Sequence, residues 1–158
     1  MSVAKTVATL YLDTSALVKL YVDESGTDTM VALADPKAGN QLAILAFTRV
    51  EFRAAIRRRA KLGDINEADA NAALERFAVH LSTLYLVQPL NETVFESACG
   101  AIDRHILRAY DGMQLAGCLV LGTTIGEALE LLFVSADQAL LKAAKTEGLA
   151  VIDPIHGA

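Results

Sequence analysis

Four carboxylates stand where they could act together. Asp13 closes the apolar run Thr9-Leu10-Tyr11-Leu12, and Glu51 follows a second apolar run at 42–45. Asp111 precedes a helix-period pattern of Met113, Leu115, Ala116 and Leu119, and Asp137 follows Leu-Phe-Val-Ser-Ala. Each acid also has a structural role open to it. Thr48 and Glu51 have the spacing of a capping box, in which Thr caps a helix and Glu returns to the cap's own amide. Asp13, Asp111 and Asp137 suit N-cap or first-turn positions, where the helix dipole favours a negative charge. Taken jointly they point to chemistry. In a parallel α/β sheet the carboxyl ends of the strands share one edge, and ligands bind there. Acids at three or four of those ends would face one crevice, and their repulsion calls for a compensating cation. Hard divalent cations such as Mg²⁺ take carboxylate oxygen and water and need neither His nor Cys. The placement argues for a metal site and leaves the reaction open.

The elements that must position these acids follow from the apolar pattern. The run 9–12 is too short for a helix and reads as a buried strand; 42–45, 84–87, 131–134 and 150–152 read the same way. Between them lie segments with apolar residues three and four apart: Ala16, Leu17 and Leu20; Val50, Ala54 and Ala55; Leu140, Leu141 and Ala144. Gly63-Asp64 separates two helical patterns, the second at 66–81. Strands apolar on both faces and alternating with helices predict an α/β fold with a mostly parallel central sheet of four to five strands, flanked by helices. Pro36, Pro89 and Pro154 each fall beside a proposed element end, where a missing amide proton costs least. No linker or repeat interrupts the pattern, so residues 1–158 read as one domain with its core at about 8–154.

Composition bounds the rest. A chain of 158 residues suits one core burying roughly 70% of its unfolded surface. Its 53% hydrophobic content excludes a disordered chain. With five Phe, four Tyr and no Trp, that core is aliphatic. Two cysteines make no disulfide framework and favour a reducing compartment; Cys99 and Cys118 read as small core residues. The apolar window 115–134 is broken by Glu127 and Glu130, whereas a membrane span needs ~20 nearly uncharged residues. A cytoplasmic chain with no membrane partner is expected. His80, His105 and His156 share no ligand-like spacing, no nucleotide-binding glycine loop is present, and the Met and Phe positions read as core or interface filling.

Charge is unevenly spread. The net charge of −5 argues weakly against nucleic acid. Yet Arg49, Arg53, Arg57, Arg58, Arg59 and Lys61 cluster within 13 residues, opposed only by Glu51. Helical spacing sets Arg49, Arg53 and Arg57 in one row. That row is either a solvated face or a rim that follows phosphates. Arg108 lies beside Asp111, within reach of a substrate there, and Lys19 either neutralises Asp13 or snorkels. Without the four candidate acids the chain carries only −1, so its acidity does not exclude RNA.

The motifs resemble those of PIN-domain nucleases, most closely the VapC-type toxins of bacterial toxin–antitoxin pairs. Leu12-Asp13-Thr14-Ser15-Ala16-Leu17-Val18-Lys19-Leu20-Tyr21, with Glu24 following, is similar to the family's opening motif. Glu51 stands at the second acid, Leu107-Arg108-Ala109-Tyr110-Asp111-Gly112-Met113-Gln114-Leu115-Ala116 resembles the third motif, and Phe133-Val134-Ser135-Ala136-Asp137 the last. The likeness runs from about residue 10 to 154. Gly112 departs from the usual alanine and should loosen that helix start by up to ~1 kcal/mol, and 117–125 is unusually rich in Gly and Thr.

The resemblance implies a metal-dependent endoribonuclease. Asp13, Asp111, Asp137 and Glu51 would hold one or two Mg²⁺ or Mn²⁺ ions, with Glu51 orienting or deprotonating the attacking water. Products would carry a 5′-phosphate and a 3′-hydroxyl. Ser15 would hydrogen-bond the first carboxylate or the phosphate, or is simply a first-turn serine. Implied partners are RNA, a cognate VapB-type antitoxin laid along an apolar groove, and a second copy in a homodimer. Two other functions use the same acids: a PIN fold that binds RNA or protein without cutting, and a phosphotransfer enzyme. Against the latter, Ser15 stands where an Asp-x-Asp motif would have its second acid.

Overall fold

The computed structural model describes residues 7–157. Its elements are β1 (Ala8–Leu12), α1 (Thr14–Val18), α2 (Thr27–Ala34), β2 (Gln41–Leu45), α3 (Thr48–Leu62), α4 (Glu67–Thr83), β3 (Leu86–Gln88), α5 (Glu92–His105), α6 (Ala109–Ile125), β4 (Glu130–Val134), α7 (Gln138–Thr146) and β5 (Ala150–Ile152). The five strands form one sheet in the order β3-β2-β1-β4-β5, and every neighbouring pair is parallel. The chain first winds outward from β1 to β2 and β3, then crosses to β4 and β5 on the other side. The strand order therefore reverses between β1 and β4, the place where open α/β sheets form their crevice.

Alternation along β1 explains the two layers. Leu10 and Leu12 face a core built with α1, α2, α3 and α4, including Leu17, Met30, Phe52, Ile56 and Phe77. Tyr11, between them, faces a second core with α5, α6 and α7, including Val94, Leu115, Leu121 and Leu140. Every residue of β1 is buried, as a central strand covered on both faces requires.

Four expectations about the elements need correction. The inward face of α3 is Thr48, Phe52 and Ile56, with Ala55 packed partly buried beside them, whereas Val50, 58% exposed, and Ala54 face outward. The choice falls to Phe52 and Ile56 because they are larger than the alanines and one turn apart, so they bury more area. The segment 84–87 is not a buried strand: β3 starts two residues later, and Leu84, Leu86 and Val87 are exposed on the sheet edge. Leu20 lies beyond the end of α1. Cys99 is exposed, whereas Cys118 is buried.

Gly112 has a packing role that its helix propensity does not reveal. A Cβ there would fall 2.5 Å from Ile102 Cγ1, so the missing side chain is what lets α5 and α6 pack closely. Gly117 does the same one layer deeper. A Cβ there would collide with the Tyr11 hydroxyl and with Leu45 Cδ1. No described helix is long and apolar enough to cross a membrane.

Candidate active site

The loops leaving β1 and β4 meet because the strands are neighbours in register, Leu12 opposite Val134. Pairing continues one step past both strand ends, with Asp13 N donating to Val134 O at 3.1 Å and Ser135 N to Ile152 O at 3.1 Å. Asp13, 5% exposed, caps α1 by accepting from Ala16 N at 3.2 Å. Its Oδ1 also accepts from Ser15 Oγ at 2.7 Å, and its Oδ2 accepts from Ser135 Oγ at 2.9 Å. Each serine is held in turn: Ala136 N donates to Ser15 Oγ at 2.9 Å, and Asp137 N to Ser135 Oγ at 3.0 Å. Both hydroxyl protons are thus spent on Asp13.

Glu51 is positioned from the other side of the crevice. The capping box expected from its spacing is absent. Phe47 occupies the N-cap without a side-chain bond, because both members of the box are engaged elsewhere. Glu51 Oε1 accepts from Thr14 Oγ1 at 3.0 Å and from Gln114 Nε2 at 2.6 Å. Gln114 Nε2 also donates to Thr48 Oγ1 at 2.8 Å, and the Tyr11 hydroxyl reaches Gln114 Oε1 at 3.4 Å. This network is the reason for Gly117, which leaves room for the Tyr11 hydroxyl.

Asp111 lies in the first turn of α6, one turn before Gln114, with Arg108 Nε 3.9 Å from its Oδ2. Asp137 caps α7, its Oδ1 accepting from Leu140 N at 3.0 Å. Asp13, Asp111 and Asp137 thus do perform the structural roles open to them.

Electrostatics ties the four acids together. Burial, the largest effect, raises the Asp13 carboxyl to about 6; its hydrogen bonds oppose this and the charge of Glu51 adds to it. Glu51 is raised by burial, pulled back by Gln114 and Thr14, and pushed further by Asp111. Asp111 is raised by burial and then by Asp137. The donor set suits a hard cation. In Asp13, Glu51 and Asp137 the scaffold pins one oxygen more heavily and leaves the other, Asp13 Oδ2, Glu51 Oε2 or Asp137 Oδ2, with lone-pair capacity to spare. Among the described residues, however, no three His, Cys, Asp or Glu side chains are grouped closely enough to hold a metal ion as they stand.

The PIN-domain profile matches residues 10–146. The chain belongs to the PIN-domain family. A curated relative, Ribonuclease VapC35 of Mycobacterium tuberculosis, is 30% identical over 145 residues, covering 92% of this chain and 96% of its own. Among solved structures, FitAcB from Neisseria gonorrhoeae superposes with a TM-score of 0.65 at 20% identity, covering 93% of this chain and 99% of its own. A toxin–antitoxin complex from Klebsiella pneumoniae gives 0.59 at 18% identity, with coverage of 92% and 97%. At those identities the two structures bear on the PIN fold alone.

Other candidates have separate roles. Lys19 neither neutralises Asp13 nor snorkels: it is buried against Glu24 at 2.9 Å, and Arg59 takes the other Glu24 oxygen at 3.0 Å. Arg57 pairs with Glu67 at 3.2 Å. Arg49, Arg53, Arg58 and Lys61 remain exposed, and the Arg108 side chain is 90% exposed. His80, His105 and His156 bond Tyr21, Glu147 and Asp153 respectively. Sequence reasoning quoted Thr14, Gln114 and Ser135 within motifs without giving them roles. The available signal was spacing: Gln114 is one turn from Asp111, and Ser135 two residues before Asp137.

Proposed function

We propose that this chain is a toxin-type endoribonuclease of the VapC kind, cleaving RNA phosphodiester bonds with water in a reaction that depends on Mg²⁺ or Mn²⁺. One observation carries the reading: acids from four different elements line the switch point of the sheet. There, on top of burial, the charge of Glu51 raises the Asp13 pKa, that of Asp111 raises Glu51 and that of Asp137 raises Asp111, and each acid keeps oxygen lone pairs that the scaffold does not use. Asp13, Asp111 and Asp137, with Glu51, would hold the cation. A bound divalent ion supplies an acidified water and neutralises charge developing on the phosphate. The chain's own residues do the rest. Ser15, Ser135 and Ala16 N fix Asp13 against rotation. Gln114 and Thr14 fix Glu51 through Oε1, which leaves Oε2 to orient the attacking water and accept its proton. Arg108, on the rim, meets the phosphate backbone.

The names of the relatives support the same reading. VapC35 is called a ribonuclease, and the Klebsiella neighbour is a toxin–antitoxin complex. On that basis an antitoxin silences this chain in the cytoplasm, and the chain assembles as a homodimer or a larger toxin–antitoxin particle. Residues 1–158 make one nuclease domain. The test is incubation of end-labelled RNA with the purified chain, free of antitoxin. Cleavage with Mg²⁺ or Mn²⁺ that leaves 5′-phosphates and stops in EDTA is expected. RNA left intact under all metal conditions would refute the proposal.

A further inference from the structure

An acidic crevice repels phosphate, so something other than charge must hold RNA at its mouth. Phe47 and Tyr110 are placed to do this. Phe47 is the residue from which α3 starts, four before Glu51, and Tyr110 directly precedes Asp111 in the first turn of α6. Their rings stack with centroids 5.4 Å apart and planes inclined by 21°. The pair thus bridges the two helix starts that carry Glu51 and Asp111. Phe47 is half-buried against the second core, which anchors the inner ring and corrects the reading of the Phe positions as filling alone. Tyr110 is 60% exposed. It is an amphipathic ring held in water by a stacking partner, with surface left over.

We infer that the Phe47–Tyr110 pair is a stacking platform for an unpaired nucleobase next to the scissile phosphate. This rests on the nuclease reading above and adds a substrate subsite to it. Stacking is independent of charge, so it works beside four carboxylates where a cation-driven contact with phosphate is weakened. A base laid on the open part of the Tyr110 ring extends the two-ring stack to three. Its phosphate then lies within the neighbourhood of Asp111 on one side and of the exposed Arg108, two residues before Tyr110, on the other. A duplex cannot use such a platform because its bases are already stacked, so the substrate class is single-stranded or looped RNA.

The test uses single-stranded oligoribonucleotides in which 2-aminopurine, whose fluorescence falls on stacking, is moved one position at a time across the cleaved bond. In the wild-type chain one flanking position is quenched. Tyr110→Ala abolishes that quench and raises KM roughly tenfold, with kcat less affected, while the melting temperature stays close to wild type. Tyr110→Phe recovers most of both losses. Three results overturn the inference while leaving the nuclease intact. They are a quench and KM untouched by Tyr110→Ala, a loss confined to kcat, or normal RNA handling with lost inhibition by the antitoxin. The last would assign the pair to the protein partner. A wild-type chain that neither binds nor cuts RNA removes the nuclease reading itself and the platform with it.

Discussion

Asp13 carries the cost of the site. A buried carboxylate held by three hydrogen bonds still titrates at about 6, against 3.8 for the unperturbed group, because burial outweighs the bonds. A raised folded-state pKa means that this group's contribution to stability is complete below about pH 4 and is lost as pH rises through about 6. The loss amounts to roughly 3 kcal/mol for a shift of this size. Glu51 and Asp111 shift in the same direction. Asp153, which hydrogen bonds hold at about 2 despite its burial, matters only at lower pH. Metal-free protein should therefore lose stability between pH 4 and 7, and Mg²⁺ should restore it at the upper end; thermal melts across that range read both. Asp13→Asn should flatten the profile, raise the metal-free melting temperature at pH 7 and abolish cleavage. A variant both less active and less stable at pH 7 would contradict this assignment. Ser135→Ala removes a bond to Asp13 without removing a carboxylate. Loss of an orienting partner of this kind lowers metal affinity or activity by about 10- to 100-fold, measurable by titrating Mn²⁺. The acids were legible in sequence only jointly: each alone reads as a helix cap or first-turn acid, but in a parallel sheet such positions share one edge. Gln114 was not legible. An amide side chain has no single chemistry, and its partners Thr14, Thr48 and Glu51 come together only when α1, α3 and α6 pack.

At the scale of elements, close approach depends on absent side chains. Gly117 admits the Tyr11 hydroxyl to the Gln114 network, and Gly112 admits Ile102. Gly117→Ala should cost about 1–3 kcal/mol in denaturant unfolding, the range for overpacked cores. It should also reduce cleavage by displacing Tyr11 and Gln114; an unchanged activity would detach that network from the site. The same elements show where periodicity runs out. β1, β2, β4 and β5 were readable because short apolar runs bounded by polar residues leave little choice. α3 was misread because it has apolar residues on two faces, and only tertiary packing selects Phe52 and Ile56 over Val50 and Ala54. β3 was shifted because Leu84 and Tyr85 extend the apolar run past the residues that pair with β2.

Across the whole molecule, charge is arranged rather than merely summed. The acids gather at the carboxyl edge of the sheet, while α3 carries Arg49, Arg53, Arg58 and Lys61 on an exposed surface. Arg57 and Arg59 are engaged with Glu67 and Glu24, a division that the uniform basic run in the sequence could not reveal. If the free cations follow the RNA backbone, replacing Arg49, Arg53 and Arg58 by Ala should weaken RNA binding. The slope of log affinity against log salt should then fall by about 0.7 for each phosphate that is no longer neutralised. An unaltered slope would identify these arginines as part of a solvated face. The central claim is that the four acids form a metal-dependent cutting centre, and it is tested most directly by RNA cleavage during an Mn²⁺ titration, wild type beside Asp111→Asn. Wild-type cleavage should rise from nothing and saturate with Mn²⁺, while the variant stays inactive or demands far more metal; cleavage independent of Mn²⁺, or a variant curve that overlays the wild type, would contradict it.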